Sequence, residues 1–366
     1  MRVCIVLGAG ASLANALHFR SERLRHTRPP LDTTFFETVD AMGVTLSPWL
    51  RRYFESVVGI DTASTTLREL RMEEVFKDAF YDFHETPDAP VPFNAYIDLV
   101  DLYLRVLRET TNWLCADNRT GGPVGRLIDA AALCSDRLTL ITFNHDLVIE
   151  NELQRRARLK RRWCLDQGYG SMGGSLVLTY PQASFPLFGL HEAGDCDHSR
   201  PITVLKLHGS LNWVVRLQGR RPTAGFLSGQ SGQRNIHLLS KREILGRETI
   251  IRTGRGRSRW RTWPIVVPPV YAKQGLRSAI EATWIDARAE LQEADRVAFF
   301  GYSLPDIDVE AEKLFERALF RNSRLGWIDV INPAAASAAR FAGVSGSTPV
   351  RWYPSLARFQ EAGAFR

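Results

Sequence analysis

The sequence predicts an α/β fold: a parallel sheet with helices on both faces, interrupted by a large helical insertion and a basic one. Three observations predict it. Short apolar runs bounded by turns recur at Val3–Leu7, Leu138–Ile141, Ile202–Leu207, Val297–Phe300 and Trp327–Ile331, and such runs read as strands buried on both faces. Each ends in glycine or polar residues: Gly8-Ala9-Gly10, Thr142-Phe143-Asn144-His145-Asp146, His208-Gly209, Gly301-Tyr302-Ser303 and Asn332-Pro333. Between them lie stretches with apolar residues three and four apart, the helical period. Ligands of such sheets bind just beyond the carboxyl ends of the strands, so five terminations are expected at one edge.

A chain of 366 residues, 45% hydrophobic and 24% charged, can bury a large core and suits one enlarged domain better than several. No apolar run approaches the ~18 residues that span a bilayer, and Arg2 with Val3–Leu7 is too short for a signal peptide, so a cytoplasmic protein without membrane contact is expected. Cys4, Cys115, Cys134, Cys164 and Cys196 are odd in number, widely spaced and free of Cys-x-x-Cys pairs, which suggests buried reduced thiols. The net charge of +7 is concentrated: between Val214 and Trp263 twelve Arg or Lys face two Glu, and the rest of the chain is slightly acidic. Such a segment suits nucleic acid, an acidic partner or ligand phosphates, or is a solvated loop; no nucleic-acid-binding motif accompanies it.

Residues 1–30 read as strand, glycine turn and helix. Gly-x-Gly lets the backbone approach a diphosphate, which the unpaired N–H groups of a helix start favour. The third glycine is missing, and no acidic residue closes a second strand ~20 residues on, so this is not the ordinary dinucleotide fingerprint. Residues 31–135 form a helical module, opened by Pro29-Pro30-Leu31-Asp32, with helices expected over Phe35–Met42, Pro48–Val58, Leu67–His84 and Asn94–Cys115. The stripe Phe76, Phe80, Tyr81 and Phe83 reads as core.

The sheet resumes over 136–213, with a helix from Leu147 to Leu159 after the Asn-His-Asp turn. The Gly- and Pro-rich stretch Lys160–Arg200 is either a lid or a surface excursion. His191, Cys196 and His198 within it lack the four ligands at defined spacing that zinc requires. His208 ends a buried strand, where an imidazole either serves as an acid/base group near neutrality or is simply hydrogen-bonded. After the basic insertion, 214–263, the core is completed over 264–366: strand-like Pro264–Pro269, helix Ala279–Glu293, strand Val297–Phe300, helix Val309–Leu319, strands Gly326–Asn332 and Pro349–Tyr353, and a closing helix Ser355–Ala362.

In order, Gly8-Ala9-Gly10, Asn144-His145-Asp146, His208-Gly209, Gly301-Tyr302-Ser303-Leu304-Pro305 and Ile331-Asn332 resemble the sirtuin pattern Gly-Ala-Gly, Gln-Asn-Ile-Asp, His-Gly, Gly-Thr-Ser-Leu and Ile-Asn. The resemblance is to the sirtuin-like NAD hydrolases of bacterial antiphage defence, in which a long helical insertion follows the glycine turn. It implies a Rossmann-like sheet with NAD as substrate. Gly8, Ala9 and Gly10 would cradle the diphosphate, with a hydroxyl contact from Ser12. Asn144 would position the nicotinamide ribose or the attacking water, Asp146 would bond the carboxamide, and His208 would be the acid/base group. Gly301 and Ser303 would contact phosphate or the adenine-side ribose, Asn332 that ribose or the adenine, and Asp32 the nicotinamide pocket. Plainer roles stand beside these: Asp146 as a helix cap, Asn332 in a turn, Gly301 for close packing.

The chain also departs from the pattern. Sirtuin deacylases carry a zinc module with two Cys-x-x-Cys pairs between the His-Gly and Gly-Thr-Ser strands; here the basic insertion stands in its place, without cysteine, so neither a metal nor an acyl-lysine groove is expected. Tyr302 replaces the threonine. The expected activity is that of an NAD+ glycohydrolase releasing nicotinamide and linear or cyclic ADP-ribose, regulated, homo-oligomeric and working with a second defence protein such as an ATPase. The alternatives are a deacylase or ADP-ribosyltransferase, and a catalytically silent NAD or ADP-ribose sensor or scaffold that binds a partner or nucleic acid through 214–263.

Overall fold

The structure, a computed structural model, describes residues 1–19, 28–62, 65–86, 89–116, 121–164, 168–178, 197–217, 236–238, 251–252, 259–260, 262–266, 280–306 and 308–365. In chain order the strands are β1 (Arg2–Leu7), β2 (Arg137–Thr142), β3 (Leu176–Leu178), β4 (Ile202–Lys206), β5 (Gly209–Arg216), β6 (Ile236–Leu238), β7 (Ile251–Arg252), β8 (Arg259–Trp260), β9 (Thr262–Val266), β10 (Arg296–Phe300), β11 (Ile328–Ile331) and β12 (Val350–Tyr353). The helices are α1 (Ala9–Phe19), α2 (Phe35–Ala41), α3 (Pro48–Tyr53), α4 (Met72–Glu85), α5 (Pro90–Ala116), α6 (Pro123–Cys134), α7 (Val148–Arg155), α8 (Ala157–Lys160), α9 (Glu281–Glu293), α10 (Val309–Phe320), α11 (Ala335–Val344) and α12 (Leu356–Glu361).

Six strands form one parallel sheet in the order β12-β11-β10-β1-β2-β4. This is the doubly wound, Rossmann-like arrangement, whose strand order reverses between β1 and β10. The register makes the carboxyl ends level. Leu7 pairs with both Phe300 and Thr142, Thr142 with Lys206, Phe300 with Ile331, and Ile331 with Tyr353. Gly8, Phe143, Leu207, Gly301 and Asn332 therefore leave the sheet at one height. Helices α1, α6 and α7 pack together beside β2, and α9, α10 and α11 together beside β1, β4 and β11. The side chains of Arg137 and Thr139 reach Glu290 of α9, while Cys4 donates to its carbonyl.

The helical insertion has the expected pieces with shifted limits. The run expected over 48–58 divides into α3 and a π-helical turn, Phe54–Val58, closed by Gly59 in the left-handed region; glycine adopts that conformation without steric cost. The helix expected from Leu67 begins at Met72 after a 3-10 turn. Phe76, Phe80 and Phe83 are buried, but Tyr81 is exposed. Helix α6 lies within the expected helical module but outside the four helices named there, although Pro123 at its first turn is a start signal; α11 was not expected.

Strands β3, β6, β5 and β9 form a second sheet, and β7 pairs with β8. The boundaries expected at 213/214 and 263/264 thus fall inside β5 and β9. Gly209, the first residue of β5, has φ +84°, and a Cβ there would run into the Ile265 carbonyl. Most of the basic segment lies outside the described residues, as do His191, Cys196 and most of the expected lid. Within that lid stretch Trp163 and Tyr169 belong to the core: both are fully buried, and Tyr169 packs edge-on against Trp213.

The expectation of buried reduced thiols is corrected at two positions: Cys134 is free but exposed and Cys164 is disulfide-bonded, whereas Cys4 and Cys115 are free and buried. A bridge needs its two Cα atoms within about 7 Å, a proximity that spacing along the chain does not disclose. No helix among the described residues is long and apolar enough to cross a membrane.

Candidate active site at the carboxyl edge of the sheet

Gly8 and Gly10 meet Gly301 at the point where the strand order reverses. Gly8 N donates to Phe300 O at 3.1 Å and Gly10 N to Gly301 O at 3.0 Å. A Cβ on Gly8 would lie 2.6 Å from both Gly301 O and Tyr302 Cα; on Gly10, 2.9 Å from Gly301 O. Gly301 has φ +63°, and a Cβ there would strike Ala11 N. All three glycines are thus required by the contact between the two turns. Ala9, the first residue of α1, is exposed.

The β2 turn is tied to the glycine turn through side chains. Thr142 Oγ1 donates to Leu7 O and accepts from Asn144 N. Asn144 Nδ2 donates to Gly8 O at 2.9 Å and to Ser12 Oγ at 3.1 Å; Ser12 in turn donates to Asp146 Oδ2 at 2.6 Å. With both amide protons engaged, Oδ1 of Asn144 is the atom left to accept from water or a substrate hydroxyl. Asp146 Oδ1 accepts from Val148 N at 3.0 Å, so the capping role is present. Behind the turn, fully buried Lys206 donates to the Asp146 carbonyl and, at 3.0 Å, to the Glu150 carboxylate.

His208 is buried, 5% exposed. Its ring lies against Phe143, 5.1 Å between centroids, and Trp284, 6.3 Å, and its Nε2 is 3.5 Å from Asp308 Oδ2. Tyr302 donates to the same carboxylate oxygen at 3.1 Å and stacks on Phe143 at 4.3 Å with the two rings nearly parallel. Burial, with Asp308 beside it, holds the Tyr302 hydroxyl well above the usual phenol range, so it stays a donor. His145, 6.0 Å from His208 between ring centroids, is bonded through Nδ1 to the Tyr103 hydroxyl at 2.8 Å. Burial also raises the Tyr103 hydroxyl, with smaller contributions from the charges of Asp146 and Glu73, so the phenol keeps its proton.

The remaining expected residues spread outward. Asn332 Oδ1 accepts from Ala334 N and its Nδ2 donates to Tyr302 O, a turn role. Ser303 is exposed beside Gly301. Asp32 accepts from Arg71 Nε at 2.7 Å and Glu73 N at 2.8 Å, at the start of α4. The Glu73 charge is felt at both Tyr103 and Tyr302, so this helix start borders the site. Sequence reasoning missed Asp308 and Tyr103. The Ser-Leu-Pro-Asp run after β10 marked the first region, whereas nothing local distinguishes Tyr103 from the other aromatics of its helix.

No protein-family profile and no curated protein matches the chain.

Proposed function

We propose that the chain is an NAD+ glycohydrolase. One observation carries the reading: the level register brings a Gly-Ala-Gly turn, an anchored Asn144 and a carboxylate-paired His208 to the same edge of a doubly wound sheet, at and beside its switch point. NAD would lie across the glycine turn. As the C–N bond breaks, nicotinamide leaves with the bonding pair and the ribose develops oxocarbenium character, as sugars do in glycosidases. Water, oriented by Asn144 Oδ1, adds to the ribose carbon, and His208 takes its proton. The products are nicotinamide and ADP-ribose. At 5% exposure His208 reaches a ribose hydroxyl or water only after the rings around it shift. This supports a regulated enzyme; activation by a cue or a second defence protein and assembly as a homo-oligomer rest on the sirtuin-like resemblance.

The test is NAD consumption and nicotinamide release by the wild type, Asn144→Ala and His208→Ala, with and without products of neighbouring genes. Loss of acid–base help is expected to cost ~10²–10⁴ in rate with NAD binding retained. The contact between Gly8, Gly10 and Gly301 gives these glycines a packing role, and beside the hydrolase stands one second reading, a catalytically silent NAD or ADP-ribose sensor or scaffold. Tight NAD binding without turnover under every condition would establish that reading instead.

A further inference from the structure

We propose that Asp308 is the positioning residue for His208: its carboxylate holds the imidazole with the proton on Nε2 and the lone pair on Nδ1, and stabilises the imidazolium formed in turnover. The inference rests on the hydrolase reading for its catalytic consequence and on geometry for the rest. Asp308 occupies the N-cap of α10, where an aspartate ordinarily accepts from the second or third helical N–H. Here it makes no side-chain cap hydrogen bond. The carboxylate is turned instead into the interior, 4% exposed, toward Tyr302 Oη and His208 Nε2. A buried carboxylate requires donors, and these two supply them.

The turn that delivers Asp308 is held in place. Leu304 has φ +52°, a left-handed conformation unfavourable for a leucine, and Arg340 donates to its carbonyl at 2.9 Å. Asp308 N donates to Pro305 O at 2.9 Å. Strained backbone of this kind persists where surrounding contacts over-determine it. A carboxylate that fixes tautomer and orientation of a histidine base is worth much of the rate where the base acts alone. The groups around His208 are Asp308 from the start of α10, Tyr302 from the β10 turn, His145 from the β2 turn with Tyr103 of α5 behind it, the neutral rings of Phe143 and Trp284, and, farther out, the charges of Glu73 and Asp146.

The test combines kinetics with imidazole ¹⁵N NMR on the full chain, comparing wild type, Asp308→Asn, Asp308→Glu and Tyr302→Phe, with His208→Gln to assign the signal. Asp308→Asn is expected to lower kcat at least ~10²-fold with little change in KM for NAD. It is also expected to move the acid limb of the pH profile and the His208 titration to lower pH by about one unit, because the cation loses its partner. Asp308→Glu should restore part of both, and Tyr302→Phe should shift them less. An unchanged His208 titration and tautomer in a folded Asp308→Asn overturns the inference, as does a loss confined to KM. If the wild type never turns NAD over, the hydrolase reading fails by itself; the NMR titration then decides the positioning of His208, a downward shift supporting it and no shift overturning it.

Discussion

Replacing Lys206 by Met tests how the Asn-His-Asp turn is supported. Lys206 and Glu150 are both almost completely buried, with Nζ 3.0 Å from Oε1. Burial pushes the Glu150 carboxyl up from its usual 4.5 even though Lys206 pulls it down, so desolvation outweighs attraction in this pair. Without the ammonium, the cheapest state of Glu150 is the protonated one. Protonating at pH 7 a carboxyl that ionises at 4.5 in the unfolded chain costs about 3.4 kcal/mol at ~1.4 kcal/mol per pH unit, within the ~3–5 kcal/mol typical of a broken buried pair. At pH 5 the same cost is about 0.7 kcal/mol.

The sign follows from proton counting. A folded pKa above the unfolded one means that the native state keeps a proton the unfolded state releases, so stability falls as pH rises from about 4.5 through the folded value. The wild type carries the same slope more weakly. Urea unfolding at pH 5, 6, 7 and 8 should therefore show a gap between wild type and Lys206→Met that widens with pH. A gap below about 1 kcal/mol at pH 7, or one independent of pH, would refute the reasoning and mean that water screens the pair. The double variant Lys206→Met/Glu150→Leu should recover most of the loss, because removing both charges removes both desolvation penalties.

Two further predictions concern the turns and the thiols. Gly301→Ala places a Cβ against Ala11 N at φ +63° and should lower stability by roughly 2–4 kcal/mol; a urea midpoint unchanged within error would show that the two turns are not in contact. In the native protein iodoacetamide should modify exposed Cys134 but neither Cys4 nor Cys115, whose burial denies access and, for Cys4, pushes the thiol far above its usual range with Glu290 adding to the effect. Labelling of Cys4 without denaturant would contradict the packing of α9 on β1.

Local features were legible in the chain alone. The apolar runs ending in Gly8, Phe143, Leu207, Gly301 and Asn332 are strands because each is short, unbroken and bounded by turn residues, and the cap role of Asp146 and the turn role of Asn332 were legible because caps and turns depend on neighbours two residues away. Helix limits were less legible: α4 starts five residues late, where Asp32, forty-one positions before Glu73, takes up Glu73 N.

Which strand ends meet depends on how the sheet is wound. The order β10-β1-β2-β4 brings Gly301 against Gly10 and Asp308 to His208 across a hundred residues. It also joins Tyr103 to His145 and Lys206 to Glu150. The physical reason is that periodicity records whether a residue is buried, not what it is buried against. A buried carboxylate or imidazole is tolerated only beside a partner, and that partner is chosen by the winding of the sheet.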